Sequence, residues 1–96
     1  MSENKWYEEV KRGEQAKMIL DNPVLFEVTG SIKEKLLSLL VSDPEDDLEQ
    51  LRRHKYLYRS VDFLMLELNR IVKRGYTAAK EIENLEKEKA AKHATQ

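Results

Sequence analysis

One repeating pattern of apolar residues, between residues 57 and 85, limits the folds open to this chain. Apolar side chains recur there in alternating steps of four and three, the heptad spacing of a helix that packs lengthwise against another helix. The nine positions of this heptad seam are Leu57, Val61, Leu64, Leu68, Ile71, Gly75, Ala78, Ile82 and Leu85. A second apolar stripe beside the seam makes the face wider than a two-stranded coiled coil needs. The sequence therefore predicts an all-α helical bundle built on one long helix with a coiled-coil-like seam.

The glycine on the seam admits two interpretations. If Gly75 ended the helix, the apolar positions after it would be expected to lose their register, yet they stay in phase. A glycine there also lets a second helix approach closely. We therefore predict one helix over residues 44–90, about 70 Å long at ~1.5 Å per residue. The alternative is a break at Gly75, with Thr77 capping a new helix.

Two prolines mark helix starts, because each follows a residue that can cap a helix. Asn22 precedes Pro23, and Asp43 precedes Pro44, so each pair joins a side-chain acceptor to a residue suited to the first helical position. With a further amphipathic stretch before the first proline, the chain forms a single domain over residues 1–96. Its predicted parts are helices over 3–21, 23–41 and 44–90 and a frayed tail over 91–96.

The second predicted helix has one apolar face and one weak point. Its apolar residues step by three or four and are Leu25, Val28, Ile32, Leu36 and Leu39. Gly30 lies within this helix and leaves open a second version, in which Ser31 caps a helix that starts at Ile32. Either version gives two shorter helices packed on one long C-terminal helix.

The long helix offers more apolar surface than the rest of the chain can cover. At ~1.5 Å per residue, each shorter helix reaches less than about 30 Å. A second apolar face, opposite the seam, is formed by Tyr56, Phe63 and Leu66. We therefore expect a homo-oligomer, most simply a two-fold dimer, in which the seam mediates self-association. The alternative is a monomer in which the first helix folds over the second face.

Composition narrows the classes of partner and compartment. The 96 residues carry 17 Lys and Arg against 18 Asp and Glu, and the net charge of -1 gives no global drive toward nucleic acid or anionic membranes. No apolar run approaches the roughly 20 residues that span a bilayer. The chain has no Cys, which fits a reducing compartment. We expect a soluble, cytoplasmic protein with no membrane partner.

The sequence gives little support for catalysis. His54 and His93 are too far apart to form a helical ligand pair, and none of the common metal, phosphate-binding or nucleophile motifs occurs. We predict a non-enzymatic protein with no catalytic residues, no metal site and no cofactor. A site assembled from dispersed residues is the alternative.

One basic cluster, over residues 52–59, interleaves cations with aromatic residues. Its candidate nucleic-acid contacts are Arg52, Arg53, Lys55 and Arg59. Phosphates could be contacted along this stripe, and nucleic-acid binding is therefore the alternative function. Against it, the acidic run over residues 43–49 directly precedes the cluster and weakens its field. Basic and acidic side chains this close more often form ion pairs.

Two stretches carry a resemblance to a known class of proteins. They are "VKRGEQAKMILDNPVLFEV" and "YRSVDFLMLELNRIVKRGYTAAKEIENL". The chain resembles small helical proteins encoded by tailed bacteriophages, in which a short Gly- and Ala-containing helix leads to an "NP" step and a long helix closes with Gly, Ala and Leu. The matching positions are Gly13, Ala16, Leu20, Asn22, Pro23, Arg59, Leu64, Leu68, Gly75, Ala79 and Leu85. In the middle, "LLSLLVSDP" departs from this pattern, which has a Trp and a Thr-Pro step before the long helix.

The resemblance implies a phage accessory or virion-assembly protein that binds other proteins, located in the host cytoplasm. Combined with the helical pattern, it leads us to expect an oligomeric structural or adaptor protein that acts through protein–protein contacts. The identity of its protein partner cannot be read from the residues.

Overall fold

Three α-helices make up the protein in the computed structural model, which describes residues 3–42 and 47–94. They are α1, Glu3–Leu20, α2, Pro23–Ser42, and α3, Leu48–Ala94. No strand occurs within the described ranges. The predicted all-α class is confirmed.

Side-chain caps start the second and third helices. The Asn22 Oδ1 accepts a hydrogen bond from the amide of Val24 at 2.8 Å, as the sequence predicts for a cap before Pro23. At α3 the Asp47 Oδ1 accepts from the amide of Gln50 at 3.1 Å. The long helix therefore begins at Leu48 and is capped by Asp47, four residues later than predicted. The predicted Asp43–Pro44 cap lies outside the described residues.

Both internal glycines of the longer helices lie within continuous helix. α3 runs through Gly75 for 47 residues, and α2 runs through Gly30 for 20 residues. No residue in the described ranges has the positive φ that a left-handed helix cap requires. The alternative breaks at Gly75 and at Gly30 do not occur. α3 also continues to Ala94, into the segment predicted to fray.

The chain divides into two compact units that share α3. The terminal unit comprises Met1–Met18 and Leu68–Gln96, so its described part joins α1 to the C-terminal part of α3. The hairpin unit comprises Ile19–Glu67, so it joins α2 to the N-terminal part of α3.

In the terminal unit, small residues form the contact between the two helices. Gly13 and Ala16 of α1 are buried, and so are Gly75 and Ala78 of α3. The two helices thus carry the same pattern, a glycine followed three residues later by an alanine. Residues this small let helix backbones approach closely.

In the hairpin unit, α2 packs on α3 through a mixture of apolar and polar residues. Leu36 is buried at 8% exposure, and Thr29 is buried with its hydroxyl donating to the carbonyls of Leu25 and Phe26. Lys33 is half-buried on the same face. Of the five positions in the predicted apolar face of α2, the exposed ones are Val28, Ile32 and Leu39. That face is therefore only partly the buried one.

The core that these contacts make is small. Among the described residues, the buried hydrophobic side chains are Ala16, Leu36 and Ala78, and no large side chain is fully buried. Ordering a chain costs roughly 1–2 kcal/mol per residue in backbone entropy, which apolar burial has to offset. Most large apolar side chains remain available for burial against something else.

Candidate protein-interaction surface

The glycine crossing in the terminal unit brings two backbones into contact. A Cβ built on Gly75 would lie 2.9 Å from the Gly13 Cα and 3.1 Å from the Glu9 carbonyl oxygen, and one built on Gly13 would lie 2.9 Å from the Gly75 Cα. These neighbours are backbone atoms, which cannot move aside as a side chain can. The close partner of Gly75 is therefore α1 of the same chain.

This contact shows that part of the heptad seam packs within the chain itself. The sequence assigned the whole seam to self-association, but Gly75 and Ala78 are already buried within the terminal unit. Two leucines of the seam in the hairpin unit differ, because Leu57 is 44% exposed and Leu64 is 51% exposed. The large seam side chains that are exposed, Leu57 and Leu64, thus both lie in the earlier part of the seam.

The second apolar face of α3 lies in the hairpin unit and is largely open. Tyr56 is 72% exposed and Phe63 is 64% exposed, and Leu66 is exposed as well. Phe63 and Leu66 line a shallow groove on α3 together with Arg59 and Asp62. Tyr56 and Phe63 lie about 100° around α3 from Leu57 and Leu64, and Ser60, which is three or four residues from each of them, lies between the two pairs. The four side chains therefore flank one strip of the helix.

One flank of α2 extends this apolar surface. At ~100° of rotation per residue, Val28, Ile32 and Leu39 fall on one side of α2. Lys33 falls on the other side, where it reaches α3. The three exposed aliphatic residues of α2 therefore share a side of the hairpin with Leu57 and Leu64.

Lys33 links α2 to α3 on the opposite side of the hairpin. The Lys33 Nζ donates a hydrogen bond to the Asp62 Oδ1 at 2.7 Å, and it lies 5.0 Å from the centre of the Tyr58 ring. The hydrogen bond to Asp62 raises the pKa of the Lys33 ammonium above its ordinary value of 10.5. This pair joins α2 to α3 at the edge of their contact.

The predicted basic cluster does not form one surface. Arg52, Lys55 and Arg59 are exposed and, by helical spacing, share a side of α3. Arg53 falls on another side, in a polar groove lined also by Asp47, Glu49, Gln50 and His54. Arg59 shares its own groove with Asp62. Carboxylates therefore lie beside two of the four predicted phosphate contacts.

The described part of the chain contains neither a cluster of metal-ligand residues nor a helix that could cross a membrane. No group of three or more His, Cys, Asp or Glu residues within it could hold a metal ion. None of its helices combines the length and apolar character needed to cross a bilayer. Every buried side-chain nitrogen or oxygen in this part has a hydrogen-bond partner, so no orphaned polar group marks a hidden ligand site.

Comparison with known proteins adds no relative. No protein-family model matches the chain, and neither a curated protein nor a solved structure is significantly similar to it.

Sequence reasoning missed the partner of Gly75. Gly13 and Ala16 have the same spacing as Gly75 and Ala78, but the sequence analysis did not pair the two sets. This shared spacing is the signal that pairs the two helices. The predicted seam and second face both lie on α3, as expected, but they are not separate surfaces. In the hairpin unit, residues from both sets make one exposed surface.

Proposed function

We propose that this protein is a non-enzymatic, oligomeric structural or adaptor protein that acts through protein–protein contacts. The observation that carries the proposal is the set of large apolar side chains left exposed in the hairpin unit, among them Phe26, Tyr56 and Phe63. Large contiguous apolar patches are rare on soluble monomers and mark interaction sites. A protein partner is the natural occupant, because burying such side chains removes apolar area from water.

The proposal includes a setting. The "NP" step at Asn22 and Pro23, with the Gly- and Ala-containing helices on either side of it, resembles small helical accessory proteins of tailed bacteriophages. We propose a role in virion assembly, where small helical proteins join larger components. A gene position beside capsid or packaging genes would support this setting, and a position within an unrelated operon would count against it.

Sedimentation velocity combined with light scattering tests the oligomer directly. We expect a mass of at least two chains of 11.3 kDa each at micromolar concentration. The mass should change little between low and high salt, because apolar burial is not screened by ions. A monomer at high micromolar concentration, folded by circular dichroism, would overturn the oligomeric part of the proposal.

Titration with DNA and RNA separates this function from nucleic-acid binding. An adaptor of the proposed kind should show no affinity at physiological salt. Binding that weakens steeply with salt, and that is lost when Arg52 and Arg59 are both replaced by Glu, would instead establish the basic cluster as the functional site. Replacement of Lys11 and Lys17 on α1 by Glu is the matched control, since these exposed cations lie outside the cluster.

A further inference from the structure

We infer that the exposed strip of α3 centred on Ser60 binds the same strip of a second copy, with the two α3 helices antiparallel about a two-fold axis at Ser60. This inference rests on the proposed function and names both its partner and its contact surface. All of the residues that carry it belong to the hairpin unit.

The strip is self-complementary in size. Around a two-fold axis at Ser60, a residue n positions before it faces the residue n positions after it in the partner. Leu57 therefore meets Phe63, and Tyr56 meets Leu64. The pairs lie three and four residues from the centre, which keeps all of them on one face of the helix. Each large side chain meets a large apolar partner.

The centre of the strip is suited to close contact. Ser60 is the small residue at the point where the two helices would cross, so it lets the backbones approach. Its hydroxyl already donates a hydrogen bond to the Tyr56 carbonyl at 2.9 Å. The serine therefore brings no unsatisfied donor into a dry interface, which would otherwise cost stability.

The ends of the strip are complementary in charge. Arg53 and Glu67 lie seven residues before and after Ser60, two helical turns in each direction. An antiparallel pair places Arg53 of one copy beside Glu67 of the other, and the symmetry repeats the contact at the opposite end. A parallel pair in register would instead place like charges together, which is unfavourable. The charges therefore select the antiparallel orientation.

The exposed area matches what a stable dimer needs. The apolar surface that the strip shares with the flank of α2 comprises Val28, Ile32, Leu39, Tyr56, Leu57, Phe63 and Leu64. From their exposed fractions, these side chains leave roughly 700 Å² accessible per copy. A standard interface buries about 800 Å² per partner. A second copy can therefore supply the burial that the hairpin unit lacks.

Site-specific crosslinking tests this geometry, because the chain contains no cysteine. In the full-length variant Ser60→Cys, the two thiols lie next to each other across the axis. A short bis-maleimide at low protein concentration should therefore convert most of the protein to a covalent dimer. Ser38→Cys is the matched control, because Ser38 is exposed on α2 in a groove with Leu37 and Val41, away from the strip. It should give little dimer.

A charge exchange checks the orientation independently. At low salt, Arg53→Glu should raise the dimer dissociation constant about tenfold, because both ends of the interface then hold like charges. The double variant Arg53→Glu, Glu67→Arg should return it to within about threefold of the original value. Sedimentation equilibrium measures all three constants.

The outcomes separate this inference from the proposed function. If the chain is an oligomer but Ser60→Cys crosslinks no better than Ser38→Cys, the strip is not the interface and the adaptor function stands. If the double charge exchange fails to restore affinity, the antiparallel orientation is wrong, and the adaptor function again stands. If the unmodified chain is a monomer, both the inference and the oligomeric part of the proposed function are overturned.

Discussion

In the terminal unit α3 packs through its smallest residues, whereas in the hairpin unit it packs through larger side chains and leaves several of its largest exposed. Gly13 and Gly75 touch backbone to backbone, with Ala16 and Ala78 beside them. The hairpin unit has no such contact, and Gly30 in the middle of α2 has nothing within 4 Å of an added Cβ. One helix thus serves two modes of packing.

This difference indicates which part of the chain can still accommodate new side chains or a partner. The glycine crossing is occupied within one chain, because a Cβ on either glycine would meet the backbone of the other helix. The hairpin unit is incomplete within one chain, because Tyr56 and Phe63 remain mostly exposed when α2 packs on α3. We therefore place the tolerance for new side chains, and most of the exposed large apolar residues, in the hairpin unit.

Replacement of Gly75 by Leu is expected to have the largest effect. The Cβ of the new side chain would clash with the backbone of α1 at Gly13. Overpacking of this kind costs about 3 kcal/mol or more. α1 should separate from α3. Urea unfolding followed by circular dichroism measures the loss, and hydrogen exchange of the α1 amides should increase.

Replacement of Gly30 by Leu is the matched control. It adds the same side chain to another glycine in a helix interior, but at an exposed site with free space. Its free energy of unfolding should stay the same or rise slightly. If Gly75→Leu leaves stability and assembly as unchanged as this control does, the two backbones are not in contact and the contrast between the units is lost.

Alanine substitutions at Gly30 and at Gly75 should change the stability of the protein in opposite directions. Within a helix, Ala is favoured over Gly by roughly 0.5–1 kcal/mol, so Gly30→Ala should stabilise the protein by about that amount. At Gly75 the methyl group meets backbone at 2.9 Å, so the clash should outweigh the helix preference. Thermal and urea unfolding of both variants measure the signs. Stabilisation by both substitutions would contradict the close crossing.

The fold class and the continuity of the long helix were within reach of sequence reasoning. The periodicity through Gly75 indicated an unbroken helix because an interruption would have shifted the phase of Ala78 and Ile82. The cap at Asn22 was predictable for a similar reason, since its chemistry depends only on neighbouring residues.

The partner of each face was not predictable in the same way. Periodicity shows which residues share a face of one helix, but not which other helix covers that face. The seam therefore looked uniform, although Gly75 contacts α1 and Leu64 stays exposed. Likewise, the apolar spacing of α2 hid the fact that Thr29 and Lys33 face α3. A buried Thr satisfies its hydroxyl within its own helix, and a Lys can reach a carboxylate, so polar residues are tolerated in that contact.

The smallest expected effect concerns the polar side of the hairpin. Because its hydrogen bond to Asp62 raises the pKa of Lys33 above 10.5, the charged form is favoured in the folded state. The stability that this pair adds is therefore complete below pH 10.5 and is lost as the pH rises through the folded-state pKa. Lys33 and Asp62 are partly exposed, so the loss should be small. Urea unfolding between about pH 9 and pH 12, a range that brackets the ordinary pKa of Lys, measures this loss of stability.

In Lys33→Met the part of the alkaline loss of stability due to this pair should disappear. Lys35→Met, at an exposed neighbouring position, should keep it. Equal alkaline profiles for the two variants would show that the Lys33–Asp62 pair does not hold α2 against α3.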